Sequence, residues 1–332
     1  MNLKRLKFGR TDYRVSELCL GTWSLSRYAN RDESFAIFDA FRAAGGNLIQ
    51  TSGISPGVNL GDGFLGMPEE LLGRWLKLRR IARRDIVIAT RMALMRPVIG
   101  GLGAYTELSR QCAADSIRRI GCDYLDFLVI EWTDGIAPVA ESMAAFEAVI
   151  ISGEVRHVVP ANFAISRVLE GLATMRREPR AIAGVQADYS LATRVAFEGG
   201  IEKLSADHGL GVIARSPFAG GYLASRRLSN GLGVLRSRGI RDRHAAIAAE
   251  GIWPALSSIA RRRRRSPAQI ALSWVFAQPQ ITSVLVSVAS VEQLREILAA
   301  TRLKLSGDDT ARLGRTPLSP SPRLLTLRRQ PL

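Results

Sequence analysis

Cysteine is scarce in this chain: Cys19, Cys112 and Cys122 are the only three among 332 residues. Their odd number and wide spacing exclude a disulfide framework and a thiolate metal cluster, and suit reduced thiols in a cytoplasmic protein. Histidine is as rare. None of His157, His208 and His244 lies at the exit of a predicted strand, so no metal is expected and a Ser-His-Asp arrangement has no good candidate. No apolar run approaches the roughly 20 residues that span a bilayer. The opening MNLKRLKFGRTDYRVSEL lacks an apolar core with a small-residue cleavage site, so neither a secretory leader nor a membrane role is expected. Lysine is nearly missing too, at five of 46 basic residues. The net charge of +16 invites a nucleic-acid reading, yet arginine bias in an alanine-rich chain accounts for it. No aromatic-interleaved basic motif accompanies the charge, so nucleic acid is not an expected partner. The run Arg261–Arg265, just ahead of SPAQIALSWVFAQ, is expected to be a solvated helix start.

What is present is alternation. Short apolar runs, VSELCLGTW, NLIQTS, DIVIATR, YLDFLVIEW, VRHVVPANF, AGVQADYS, GVIARSP and SVLVSVAS, have the character of buried parallel strands. Between them lie amphipathic stretches such as ESFAIFDAFRAAG, PEELLGRWLKLRR, LSRQCAADSIRRIG and VAESMAAFEAVIISG, several ending in the glycine that commonly follows a helix. Eight such strands predict an α/β fold, a (β/α)8 TIM barrel, over residues 1–317, with a Pro/Arg-rich tail over 318–332. The segment LKFGRTDYRVSEL predicts a hairpin that plugs the barrel floor. Gly100, Gly101 and Gly103 predict a flexible loop after the third strand. Barrel chemistry sits where strands end. The predicted exits carry Trp23, Gln50 to Ser55, Arg91, Glu131, Asn162, Gln186, Arg215 to Gly221 and Ser287 to Ser290.

Read in order, RLKFGRTDYRVSELCLGTWSL, DESFAIFDAFRAAGGNLIQTS, DIVIATR, SIRRIGCDYLDFLVIEW, SGEVRHVVPANF, VQADYSL, GVIARSPFAGGYLASR and SPAQIALSWVFAQPQITSVLV resemble the successive blocks of aldo/keto reductases. The resemblance runs from about Leu6 to Leu313. It implies a barrel that binds NADP(H) across the strand C-terminal ends and reduces carbonyls with an Asp, Tyr, Lys and His set. Against that set this chain departs four times. The block F-I-D-T-A-x-x-Y falls on Leu48 to Ser55, so Gln50 replaces Asp and Ser55 replaces Tyr. Arg91 stands for Lys and Glu131 for His. Glu131 alone is compatible with hydride transfer, since one branch of the family carries Glu there. The missing phenol matters more, because an aliphatic hydroxyl such as Ser55 cannot readily act as an acid.

The same resemblance implies a weakened cofactor groove. Thr22, Trp23, Asn162, Gln186, Ser216, Pro217, Phe218, Gly220, Gln293 and Glu296 match cofactor-binding positions, and Arg226 keeps the charge of a family Lys. Arg215 replaces the aromatic residue that stacks on nicotinamide. Trp132 is a candidate wall of the substrate pocket. Three readings follow: a divergent NADP(H)-linked oxidoreductase; a non-redox isomerase or lyase using Glu131 as base and Arg91 as clamp for an anionic small molecule; or a non-catalytic member that binds cofactor or a partner. Between Arg91 and Glu131 themselves, a purely structural salt bridge is the competing expectation.

Overall fold

The computed structural model describes residues 2–25, 29–54, 67–93, 101–131, 138–174, 181–224 and 240–315, with backbone alone at 54, 93, 101–104 and 240–250. The expected strands all form. β1 (Arg5–Lys7) and β2 (Arg14–Ser16) make an antiparallel hairpin, Leu6 opposite Val15. β3 (Leu18–Gly21), β4 (Leu48–Ile54), β5 (Val87–Ala93), β6 (Leu125–Glu131), β7 (Val155–Ala161), β8 (Gly184–Asp188), β9 (Gly211–Arg215) and β10 (Ser283–Ser287) close into one parallel barrel, β10 pairing with both β3 and β9. The helices are α1 (Arg31–Ala43), α2 (Met67–Leu78), α3 (Gly101–Ile120), α4 (Val139–Ile151), α5 (Ile165–Thr174), α6 (Glu202–His208), α7 (Ile240–Arg263), α8 (Pro267–Phe276), α9 (Val291–Ala300) and α10 (Gly307–Gly314).

Two apolar layers follow from the strand period of two. Outward residues such as Ile49, Ile88, Leu128 and Val212 pack under the helices together with Phe38, Trp75 and Phe146. Inward residues, Cys19, Leu48, Ala89, Val129, Val159 and Ile213 among them, fill the barrel with Phe8 and Val15 of the hairpin. The hairpin therefore does plug the floor. Phe8 stacks on Phe127 at 4.6 Å between ring centroids, and Tyr13 meets Phe127 edge-on. Gly184 and Gly211 are bare for a reason: a Cβ at either would stand 2.7 Å from the Phe8 ring.

Two expectations are corrected. Arg261 to Arg263 are the last turn of α7, not the start of α8, where cations complement the negative end of the helix dipole. Arg264 turns the chain with φ 52°, and Ser266 then caps α8 in a capping box with Gln269. Arg262 and Arg263 both bind Asp309 of α10, so the run fastens two helices. Gly101 and Gly103, expected in a flexible loop, lie in the first turn of α3. Gly100 and the tail 318–332 lie outside the described residues. Among the described residues no helix is long and apolar enough to cross a membrane.

Candidate active site

The inward phase decides which side chains reach the mouth. On β5, Val87 and Ala89 face the interior, and Arg91 continues the row. On β6, Phe127 and Val129 lead to Glu131; on β9, Ile213 leads to Arg215; on β4, Leu48 leads to Gln50 and Ser52. On β8, Val185 and Ala187 pack outward, so Gln186 and Asp188 take the inward phase.

These side chains meet. Arg91 Nη2 donates to Glu131 Oε1. Arg215 Nη1 donates to the same oxygen at 3.4 Å, although β9 lies three places round the barrel from β6, so this contact crosses the mouth. Arg215 also grips Asp188 at two points, Nε to Oδ1 at 2.8 Å and Nη2 to Oδ2 at 3.0 Å. Ser216 Oγ adds a bond to Asp188 Oδ1 at 3.1 Å, and Asn162 Nδ2 lies 3.5 Å from Glu131 Oε2. The result is a run of alternating charge, Arg91, Glu131, Arg215, Asp188, laid from β5 to β8 over the barrel.

Below it sits an amide pair. Gln186 Nε2 donates to Gln50 Oε1 at 2.6 Å, both side chains being buried. Gln186 Oε1, Thr51 Oγ1 and Arg91 Nε are buried without a hydrogen-bond partner among the described residues. Such groups are costly unless something satisfies them.

Electrostatics fix the protonation states. Burial pushes the Glu131 carboxyl up, but the guanidiniums of Arg91 and Arg215 outweigh it and hold it below the usual glutamate range. For Arg215 burial works downward, and Asp188 with Glu131 more than reverses it. Arginine stays cationic at any workable pH in any case. The described mouth thus holds two cations and two anions at neutral pH.

The remaining predicted positions fall as follows. Thr22 and Trp23 follow β3, the Thr22 amide donating to Gln50 O at 3.0 Å. Asn162, just past β7, takes φ 59°. Ser216, Pro217, Phe218 and Gly220 form the turn after β9, in which Ser216, Ala219, Gly220 and Gly221 all have positive φ, from 50° to 97°. Turns of this kind can gather backbone N–H groups into an anion-binding hollow. Gln293 and Glu296 lie on α9, but both are engaged: Gln293 Oε1 accepts from the Ala289 amide at 2.8 Å, and Glu296 accepts from Ser266 Oγ. Ser55, Trp132 and Arg226 lie outside the described residues. Asp188 was not among the expected site residues, though its place two residues after Gln186 on an inward-facing strand was the available signal. Among the described residues no group of His, Cys, Asp and Glu could hold a metal ion.

Comparison with known proteins agrees with this architecture. The aldo/keto reductase family model matches residues 17–315, and the chain belongs to that family. It is 29% identical over 310 residues to the uncharacterized oxidoreductase YrpG of Bacillus subtilis, covering 90% of each chain. It is 26% identical to an NADH-specific methylglyoxal reductase of Escherichia coli, over 92% of this chain and 96% of that one. In structure it resembles a thermostable aldo-keto reductase crystallised with the inhibitor epalrestat, with a TM-score of 0.72, 22% identity, and coverage of 94% and 99%.

Proposed function

We propose that this chain is a divergent aldo/keto reductase-family protein that binds a nicotinamide dinucleotide, NADP(H), at the barrel mouth and has lost the ordinary proton relay of carbonyl reduction. The observation that carries this reading is Glu131 held ionised between Arg91 and Arg215. An ordinary reduction needs a proton donor beside the carbonyl, and positioned acid catalysis is worth roughly 10²–10⁴ in rate. None of the described substitutes supplies one at neutral pH. Gln50 is an amide, Arg91 keeps its proton, and Glu131 has none to give.

The residues fit the dinucleotide. The buried, unpartnered Gln186 Oε1 suits a carboxamide donor, and the positive-φ turn from Ser216 to Gly221 suits a phosphate. Asn162 would share the carboxamide, and Thr22 and Trp23 would close its edge. When bound, the cofactor supplies or accepts a hydride. The chain's own part is to orient the ring on the Gln50–Gln186 floor and to set the charge above it. The same proposal places residues 1–317 in one barrel with a tail over 318–332, working in the cytoplasm on a small molecule.

The alternative with Glu131 as base and Arg91 as anion clamp is disfavoured by the same contacts. Paired with each other, the base is weakened and the clamp already holds a carboxylate. Fluorescence titration with NADPH and NADP⁺, followed by turnover on a panel of aldehydes and ketones, tests the proposal. The expected result is saturable binding with turnover at least about a hundredfold below an intact relay. Brisk reduction of simple aldehydes would overturn it, as would a failure to bind either form of the dinucleotide. Substrate conversion without any nicotinamide change would favour the isomerase reading instead.

A further inference from the structure

We propose that Asp188 sets the ligand charge preference of the mouth, cancelling a latent anion site that Arg91 and Arg215 would otherwise form. The inference rests on the reading of the mouth as a ligand site, but it does not require a dinucleotide there.

A pair of guanidiniums at a cavity mouth is ordinarily a carboxylate or phosphate clamp, because each offers a planar fork of donors. Here the protein's own carboxylates engage three nitrogens of Arg215 and Nη2 of Arg91, whose Nε has no partner among the described residues. Asp188 faces Arg215 directly across the β8–β9 ladder, and it takes two of that fork's donors at 2.8 and 3.0 Å. The Ser216 hydroxyl, 3.1 Å from Asp188 Oδ1, fixes the carboxylate in the plane that suits this grip. Glu131 takes the Nη2 donor of Arg91 and, at 3.4 Å, the outer donor of Arg215. The Glu131–Arg215 link is thus the weaker of the contacts made by Arg215. An entering ligand could part it without disturbing the two-point grip, and would then meet Arg215 still neutralised by Asp188. An anion entering there gains little from Arg215 and is repelled by two carboxylates, whereas an uncharged ligand pays neither cost. Asp188 touches no reacting atom in this account. It acts through Arg215, as a positioning and specificity-determining residue.

The test uses a matched pair of probes, pyruvate and its uncharged methyl ester, titrated into the full-length chain by calorimetry. Wild type is expected to bind the ester at least about tenfold tighter than pyruvate. Asp188→Asn, which keeps the shape and removes the charge, should raise pyruvate affinity roughly tenfold and leave the ester within about threefold. Asp188→Ser, which also removes the charge, should move pyruvate in the same direction and serves if the first variant folds poorly. Tighter binding of pyruvate than of ester by wild type would overturn the proposal. So would an unchanged ratio in a folded Asp188 variant, or no binding of either probe to any form. NADPH titrated separately into the same preparations keeps this outcome apart from the cofactor reading: loss of dinucleotide binding with the probe ratios as expected sinks that reading and leaves this one standing.

Discussion

Two glutamates, each paired with arginine, occupy opposite sides of the barrel wall. Glu131 stands at the barrel mouth between Arg91 and Arg215. Glu69, on α2, is sealed in the seam between the helices and the outer face of β4 and β5. Arg119 Nε of α3 donates to it at 2.6 Å, and Thr90 Oγ1 at 3.3 Å. Glu131 is held below the usual glutamate range, whereas burial of Glu69 is complete and raises its pKa despite Arg119 and the nearby hydroxyls. Both are ion pairs, yet the sign differs. What separates them is the count of cations against the depth of burial. A single guanidinium does not repay full desolvation of a carboxylate, whereas two do so at a site still open to water. The seam is a structural joint, and the mouth is a charged surface available to a ligand.

The largest effect should come from breaking the seam. Arg119→Met leaves Glu69 buried without its cation, and removal of one partner from a buried pair costs about 3–5 kcal/mol. Urea unfolding at neutral pH should show that loss as a lowered midpoint. If the midpoint fell by no more than a surface pair would cause, the seam would have no claim to being the joint.

Next in size is the mouth. Glu131→Gln removes a carboxylate that two arginines share, and the expected loss is about 1–3 kcal/mol. The pH dependence sharpens the contrast. Because the folded pKa of Glu131 is depressed, its contribution is complete above the unfolded value near 4.5 and is lost as the pH falls through the folded value. Glu69 runs the other way. Its folded pKa is raised, so its contribution is complete below 4.5 and is lost as the pH rises through the folded value. Unfolding midpoints measured from neutral pH down to well below 4.5 should therefore lose part of their acid fall in Glu131→Gln. An unchanged acid limb would mean that the two arginines do not hold Glu131 as the contacts imply.

The contrast between seam and mouth also marks what could be read from sequence. The barrel was legible because buried parallel strands must be apolar runs, and eight of them alternate with helical stretches. The convergence of Gln50, Arg91 and Glu131 follows from the same strand phase. Asp188 lies in that phase too, but within the block VQADYSL nothing in the sequence sets it apart from its neighbours. Its importance depends on Arg215 standing opposite in the ladder, a register that only the fold supplies. The seam was hidden for a similar reason: Glu69, Thr90 and Arg119 come from three separate elements, and each reads alone as an ordinary surface or strand residue. The arginine run shows the reverse failure. Ser266 and Gln269 spell a capping box in SPAQ, so the start of α8 could have been placed after the arginines from local chemistry alone. At Gly101 and Gly103, low helix propensity argued for a loop, but a weak local preference did not prevent α3 from beginning there.

The smallest effect asks whether seam and mouth are energetically separate. Thr90 and Arg91 are neighbours on β5 with side chains on opposite faces: Thr90 bonds Glu69 behind the sheet, and Arg91 meets Glu131 in front. Thr90→Val deletes one hydrogen bond to a carboxylate that keeps its arginine, so a loss of about 1 kcal/mol is expected. Combined with Glu131→Gln, the two losses should add to within about 0.5 kcal/mol, as independent sites do. Ligand affinity at the mouth should stay within about twofold of wild type in Thr90→Val, a margin well under 1 kcal/mol. A larger coupling energy in the double-mutant cycle, or a shifted affinity, would show that the strand carries strain from one face to the other. The inward and outward rows of β5 would then have to be treated as a single network, with Glu69 a remote support of the site.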